Sequence, residues 1–156
     1  MQNCHNKLEQ TRILNEYLAN LKVLNNNLYN LHFNVIGEHF FVLHKKLDEY
    51  YNKVADMYDE VAERIKMLNQ YPITSLIEFE EKSTIKSMRS QDYNTYQVYS
   101  ILINDFSFMY EFTKELLEYA RNIQDYYTEN LMYQYIEFFE KELWMLKTSS
   151  QTIYSG

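Results

Sequence analysis

The sequence predicts an all-α protein: a bundle of four long helices with a short helix in the long crossover between the second and the third. Three observations carry that expectation. Only two glycines and one proline occur in 156 residues, of which 46% are hydrophobic, a composition that favours long uninterrupted helices over strands and turns. Apolar residues recur at steps of three and four in four separate stretches, the spacing that lines one face of a helix. Between the second and third stretches, residues 73–90 form a connection too long for a simple bundle loop.

The first helix is expected from Lys7 to Val35, where Leu14, Leu18, Leu21, Leu24, Leu28, Leu31 and Val35 share a face opposite one rich in asparagine. Ile36, Gly37 and Glu38 interrupt it, with Gly37 placed to take a positive φ that turns the chain. The second helix, His39 to Asn69, carries Leu43, Leu47, Tyr51, Val54, Tyr58, Val61, Ile65 and Leu68 as its core stripe. Proline disfavours helix in the residue before it, so the Tyr71–Pro72 step closes this helix. Thr74 or Ser75 is positioned to cap the short crossover helix through Glu81. Asp92 reads as the cap of the third helix, which runs to about Asn122 with Val98, Leu102, Phe106, Met109, Phe112, Leu116, Leu117 and Tyr119 on its apolar face. After a break at 124–128, Thr128 is expected to cap a fourth helix, Glu129 to about Ser149, with Leu131, Tyr135, Phe138, Phe139, Leu143 and Leu146 inward. The tail from Ser149 to Gly156 is expected to fray.

The length suits one domain spanning residues 1–156 with a sizeable core. Twenty-two acidic against fifteen basic residues give a formal charge of −7, which argues against a broad footprint on nucleic acid and suits a cationic partner. The single cysteine, Cys4, excludes an intrachain disulfide and a multi-cysteine zinc site, as befits a reducing compartment. The start MQNCHNKLEQ is polar and no apolar run reaches membrane-spanning length, so a soluble, cytoplasmic protein is expected.

The chemistry concentrates between His32 and Arg64. There His44 and Asp48 are spaced i,i+4, as are Asp59 and Glu63, so each pair sits on one helix face as a two-point metal grip. Asp48 to Asp59 returns to nearly the same face, displaced by roughly 16 Å along the axis. Metal–ligand bonds of about 2 Å cannot bridge that gap within one chain. A second copy laid antiparallel across a two-fold axis near residues 53 and 54 brings His44 to Glu63 and Asp48 to Asp59, building two equivalent sites between chains. Mixed carboxylate and imidazole ligands suit iron in a site with open positions. Within-chain di-iron bundles use Glu-x-x-His motifs. This chain has none, since Gln2, Tyr29, Ile36 and Phe41 stand three residues before its histidines. His39, in the turn, is assigned capping or surface duty.

The run HFNVIGEHFFVLHKKLDEYY…DEVAERI, with ELWMLK at 142–147, resembles the signature of the Dps family, the mini-ferritins named for a DNA-binding protein from starved cells. The resemblance spans nearly the whole chain and implies a ferritin-like four-helix bundle. It implies that His32, His44 and Asp48 of one subunit join Asp59 and Glu63 of the two-fold mate as the metal ligands and catalytic residues of a ferroxidase centre. It also implies a hollow shell of twelve subunits that oxidises Fe(II), preferentially with hydrogen peroxide, stores the ferric product as mineral and protects against oxidative stress. Iron is thus the expected metal, with zinc as a possible substitute.

Phe33 stands where the family commonly has tryptophan, which makes Trp144 the candidate electron donor. By the same resemblance Asp125 and Glu129 fall where the family lines its iron-entry pores with acids, although acids at a helix N-terminus also complement its dipole. The family's namesake activity is not carried over. Lys7 and Arg12 at one end and Lys147 at the other are too few to hold DNA, and assembly would multiply the negative charge. A nucleoid-associated protein that shields DNA by physical binding is the alternative function.

Overall fold

The computed structural model describes residues 2–154, with side chains from His5 to Gln151. The Cys4 side chain and the last two residues lie outside the described residues. The chain order is α1 (Gln2–Asn34), β1 (Val35–Ile36), α2 (Phe40–Met67), α3 (Leu76–Lys82), β2 (Tyr93–Asn94), α4 (Thr95–Asn122) and α5 (Tyr126–Tyr154). By packing it divides into two compact units, one of residues 1–33 and 44–90, the other of residues 34–43 and 91–156.

In the first unit α1 and α2 run antiparallel, tied by Asn25 Nδ2 to the Tyr51 carbonyl at 2.7 Å and by Lys22 over the Tyr58 ring at 4.9 Å. The leucine stripe of α1 from Leu14 to Leu31 is buried as its spacing requires. On α2 the buried face is Leu47, Tyr50, Val54, Met57, Val61 and Ile65. Tyr51 and Tyr58, expected in the core, are only half-buried, because Tyr50 and Met57 occupy the inward positions.

The asparagines of α1 pin the crossover. Asn20, buried, accepts from the backbone N–H groups of Thr84 and Ile85 at 3.0 Å each. Asn27 accepts from the Met88 N–H and donates to the Lys86 carbonyl. Asn15 makes the same two-way exchange with Ile73 and Tyr71. Irregular backbone laid over helices must satisfy its polar groups somewhere, and here a ladder of side-chain amides does it. The short helix forms where expected, with Ser75 at its N-cap. Ser75 acts through its carbonyl, bonded by the Phe79 N–H at 3.0 Å, and makes no side-chain cap bond.

Three boundaries differ from expectation, one set by a backbone turn and two by side-chain caps. α2 stops at Met67, two residues before the expected Asn69 and short of the Tyr71–Pro72 step. Asn69 takes φ 59° and closes a Schellman motif through Gln70 N–H to Ile65 O and Asn69 N–H to Lys66 O. Asn94, not Asp92, caps α4 in a capping box with Gln97, each side chain bonded at 2.9 Å to the other's backbone. Asp125, not Thr128, caps α5, accepting the Thr128 N–H at 3.1 Å and hydroxyl at 2.5 Å. α1 also begins before Lys7, at Gln2, and α5 continues through Tyr154 instead of fraying from Ser149.

The second unit is an antiparallel α4–α5 hairpin closed by another Schellman turn, with Gln124 at φ 59°. Phe106 meets Phe139 edge-on at 5.5 Å in its core, and Tyr110 donates to Glu140 at 3.0 Å. A feature absent from the sequence reading is a pair of two-residue parallel strands, Val35 opposite Tyr93 and Ile36 opposite Asn94. Gly37 follows at φ 109°, a backbone state that L side chains rarely adopt. A Cβ there would lie 3.3 Å from the Thr95 hydroxyl.

Candidate metal centre

His32 sits on the last turn of α1 and His44 on the first turns of α2, within the first unit. Each imidazole Nδ1 donates to the backbone carbonyl of the other residue, His32 to His44 O at 2.7 Å and His44 to His32 O at 2.8 Å. The two rings stack 3.8 Å apart, 16° from parallel. A carbonyl can only accept, so both rings carry their proton on Nδ1 and present the Nε2 lone pair, the arrangement by which a backbone carbonyl sets a metal-binding histidine. The reciprocal bonds need both helix ends in register.

Asp48 lies one turn on from His44 and is half-buried. Its Oδ1 accepts from Asn52 Nδ2 at 2.8 Å, and Tyr51 bonds the same carboxylate. That bond holds the Tyr51 phenol up to about 12, since ionising it would set a second negative charge beside Asp48. Tyr51 also stacks on Tyr29 at 4.0 Å and meets the His32 ring edge-on at 5.2 Å. Tyr51 is absent from the sequence-based site. The signal was its i,i+3 spacing to Asp48, hidden by its assignment to the core.

Asp59 and Glu63 stand exposed further along α2. The structure sets His32 against His44 with Asp48 one turn further along α2, and helical rise leaves Asp59 roughly 16 Å and Glu63 roughly 22 Å beyond Asp48. Among the described residues, no group of three or more His, Cys, Asp or Glu side chains forms a metal-holding cluster. Donor chemistry still fits iron: two imidazole nitrogens oriented through Nε2, one carboxylate beside them, and two exposed carboxylates on the same stripe. One expectation needs correction. Val54, placed at the two-fold contact, is fully buried in its own chain. The stripe joining Asp48 to Asp59 exposes Asn52 and Ala55 instead, because positions i+4 and i+7, not i+6, share its face.

The remaining candidates lie in the second unit. Asp125 has both carboxylate oxygens engaged by Thr128 in capping α5. Glu129 accepts from Arg121 Nε at 3.2 Å, with the Tyr133 hydroxyl at 3.4 Å. Both acids therefore have structural work within the chain. Trp144 is 64% exposed and lines an open groove with Tyr133, Ile136, Glu137, Glu140 and Lys141. His39 contacts Tyr99, its Nδ1 3.5 Å from the hydroxyl.

Comparison with known proteins defines the class. Residues 11–153 match the ferritin-like domain family, and the chain belongs to it. Its fold is the all-α ferritin-like four-helix bundle, with α3 the short helix in the crossover. Within that class it is a Dps-family protein. It is 31% identical to the Dps protein of Vibrio cholerae O1 over 94% of this chain and 92% of that one, with a TM-score of 0.90. Dps from Staphylococcus aureus matches at 31% identity over 91% and 95%, TM-score 0.87. A Dps protein from Bacillus brevis matches at 28% over 94% and 98%, TM-score 0.90. No curated protein matches the chain. No helix among the described residues is long and apolar enough to cross a membrane.

Proposed function

We propose that the protein is an iron-oxidising, iron-storing mini-ferritin whose ferroxidase centres are shared between subunits. The observation that carries this reading is the locked histidine pair: two imidazoles fixed through Nδ1 with Nε2 unprotonated, one turn from Asp48, with Asp59 and Glu63 on the same face of α2. Family membership supports it, as the Vibrio cholerae relative is described as one of the ferritin-like diiron-carboxylate proteins. His32, His44 and Asp48 of one subunit would hold Fe(II) with Asp59 and Glu63 supplied by a second copy, in a dodecamer built from such dimers.

Iron here is substrate and cargo. Two Fe(II) ions each give up one electron, and hydrogen peroxide accepts the pair and, with two protons, leaves as water. Taking both electrons at paired sites avoids the one-electron step that releases hydroxyl radical. The residues' part is to bind, to exclude competing geometries, and to leave coordination positions open for the oxidant. Zinc fits the same donors and would occupy the site as an inhibitor. The charge of −7 per chain supports a protein that does not retain DNA at physiological salt.

Peroxide-driven Fe(II) oxidation by wild type, His44→Ala and Asp59→Ala tests the reading. Each variant should be slowed at least about tenfold, the scale on which even outer-shell changes act. Equal rates in all three would remove the assignment.

A further inference from the structure

Two of the proposed ligands are held by a side chain that is not itself a ligand. Tyr51 stands three residues after Asp48 on α2, and its hydroxyl donates to the Asp48 carboxylate. Its ring is clamped on α1, stacked on Tyr29 with planes 18° apart and edge-on to His32 at 88°. Its carbonyl accepts from Asn25 Nδ2 at 2.7 Å, so the backbone beneath the ring is tied to α1 as well. One residue therefore touches a carboxylate on one helix and an imidazole on the other.

We propose that Tyr51 is a positioning residue of the metal centre, orienting Asp48 through its hydroxyl and His32 through its ring. The inference rests on the shared-centre reading above. A carboxylate terminal torsion is broad and two-fold. With Asn52 Nδ2 on Oδ1 at 2.8 Å and the Tyr51 hydroxyl as a second donor, rotation of the Asp48 carboxylate is restricted. The His32 ring is pinned at Nδ1 by the His44 carbonyl, and the edge-on tyrosine blocks its rotation about that bond. Both restraints act before metal arrives, so ordering costs that would otherwise reduce affinity are already met.

If Tyr51 served packing alone, phenylalanine would serve equally. Full-length protein, titrated anaerobically with Co(II) and followed by its d–d absorption, separates the cases. Tyr51→Phe keeps the ring stack and loses only the hydroxyl. It should bind Co(II) about tenfold more weakly, with a shifted band and an unchanged melting temperature. Tyr29→Phe, the matched control with no bond to Asp48, should bind as wild type, and Asp48→Ala should lose the band. Wild-type affinity and spectrum in Tyr51→Phe beside an impaired Asp48→Ala would overturn the proposal, as would equal weakening in Tyr29→Phe. Unaltered binding in Asp48→Ala would instead show the centre itself to be misplaced, and the role of Tyr51 would fall with it.

Discussion

Replacing Asn20 by alanine should destabilise the protein more than any other single change on the polar side of α1. Asn20 is 1% exposed, and its Oδ1 is the acceptor for the backbone N–H groups of Thr84 and Ile85. Ser83 Oγ is also 3.0 Å from it but has a shorter bond to Ile85 O at 2.6 Å. A hydroxyl has one proton, so only the two backbone donors are counted. Ile85 is 8% exposed, and a buried donor left without a partner costs about 1–3 kcal/mol, while the more accessible Thr84 N–H adds about 1 kcal/mol. The sum is about 2–4 kcal/mol, with a smaller further cost for the lost Nδ2 bond to Glu16 O. Urea denaturation compares Asn20→Ala with Asn26→Ala, an exposed asparagine on the same helix whose loss should stay within about 0.5 kcal/mol. Amide exchange at Thr84 and Ile85 should accelerate only in the first variant. Equal stability of the two variants, with exchange at 84 and 85 unchanged, would refute the clamp.

Two further outcomes follow from other parts of the molecule. Ala55→Trp places a bulky ring on the exposed stripe between Asp48 and Asp59, where an antiparallel second copy would approach; dimerisation and ferroxidase rate should fall together, and full oxidation by a monomer would refute the shared centre. Burial raises the Asp105 carboxyl from its usual 3.8 to about 6, Asn104 partly offsetting it. For an acid raised on folding, the penalty is absent below the unfolded value, grows as pH climbs from about 4 to 6, and is complete above. Wild type should therefore lose up to about 2–3 kcal/mol relative to Asp105→Asn between pH 4 and 7, measured by urea midpoints. A difference that does not vary with pH would contradict this.

Most of the architecture was legible because helices announce themselves by a period. The leucines of α1 predicted their own burial, and the break at Gly37 and the short crossover helix fell where local chemistry put them. Helix ends were less legible, since Asp92 and Asn94, or Asp125 and Thr128, are equally good caps on paper. Asn94 wins because Gln97 completes the capping box, and Asp125 because Gln124 ends α4 in a left-handed turn that delivers it to the next helix.

The spacing of His44, Asp48, Asp59 and Glu63 by itself determined that no single ion can touch both pairs of one chain, because helical rise separates them whatever the surroundings. That Val54 turns inward was a matter of phase, decided by which neighbours fill the core. Only tertiary structure could decide the state of the histidines. Residues twelve apart in sequence exchange Nδ1 bonds with each other's carbonyls, and no local pattern encodes which ring nitrogen a distant carbonyl will claim. The same holds for Tyr51 and for the asparagine clamp, whose partners lie on other elements and acquire meaning only when those elements meet.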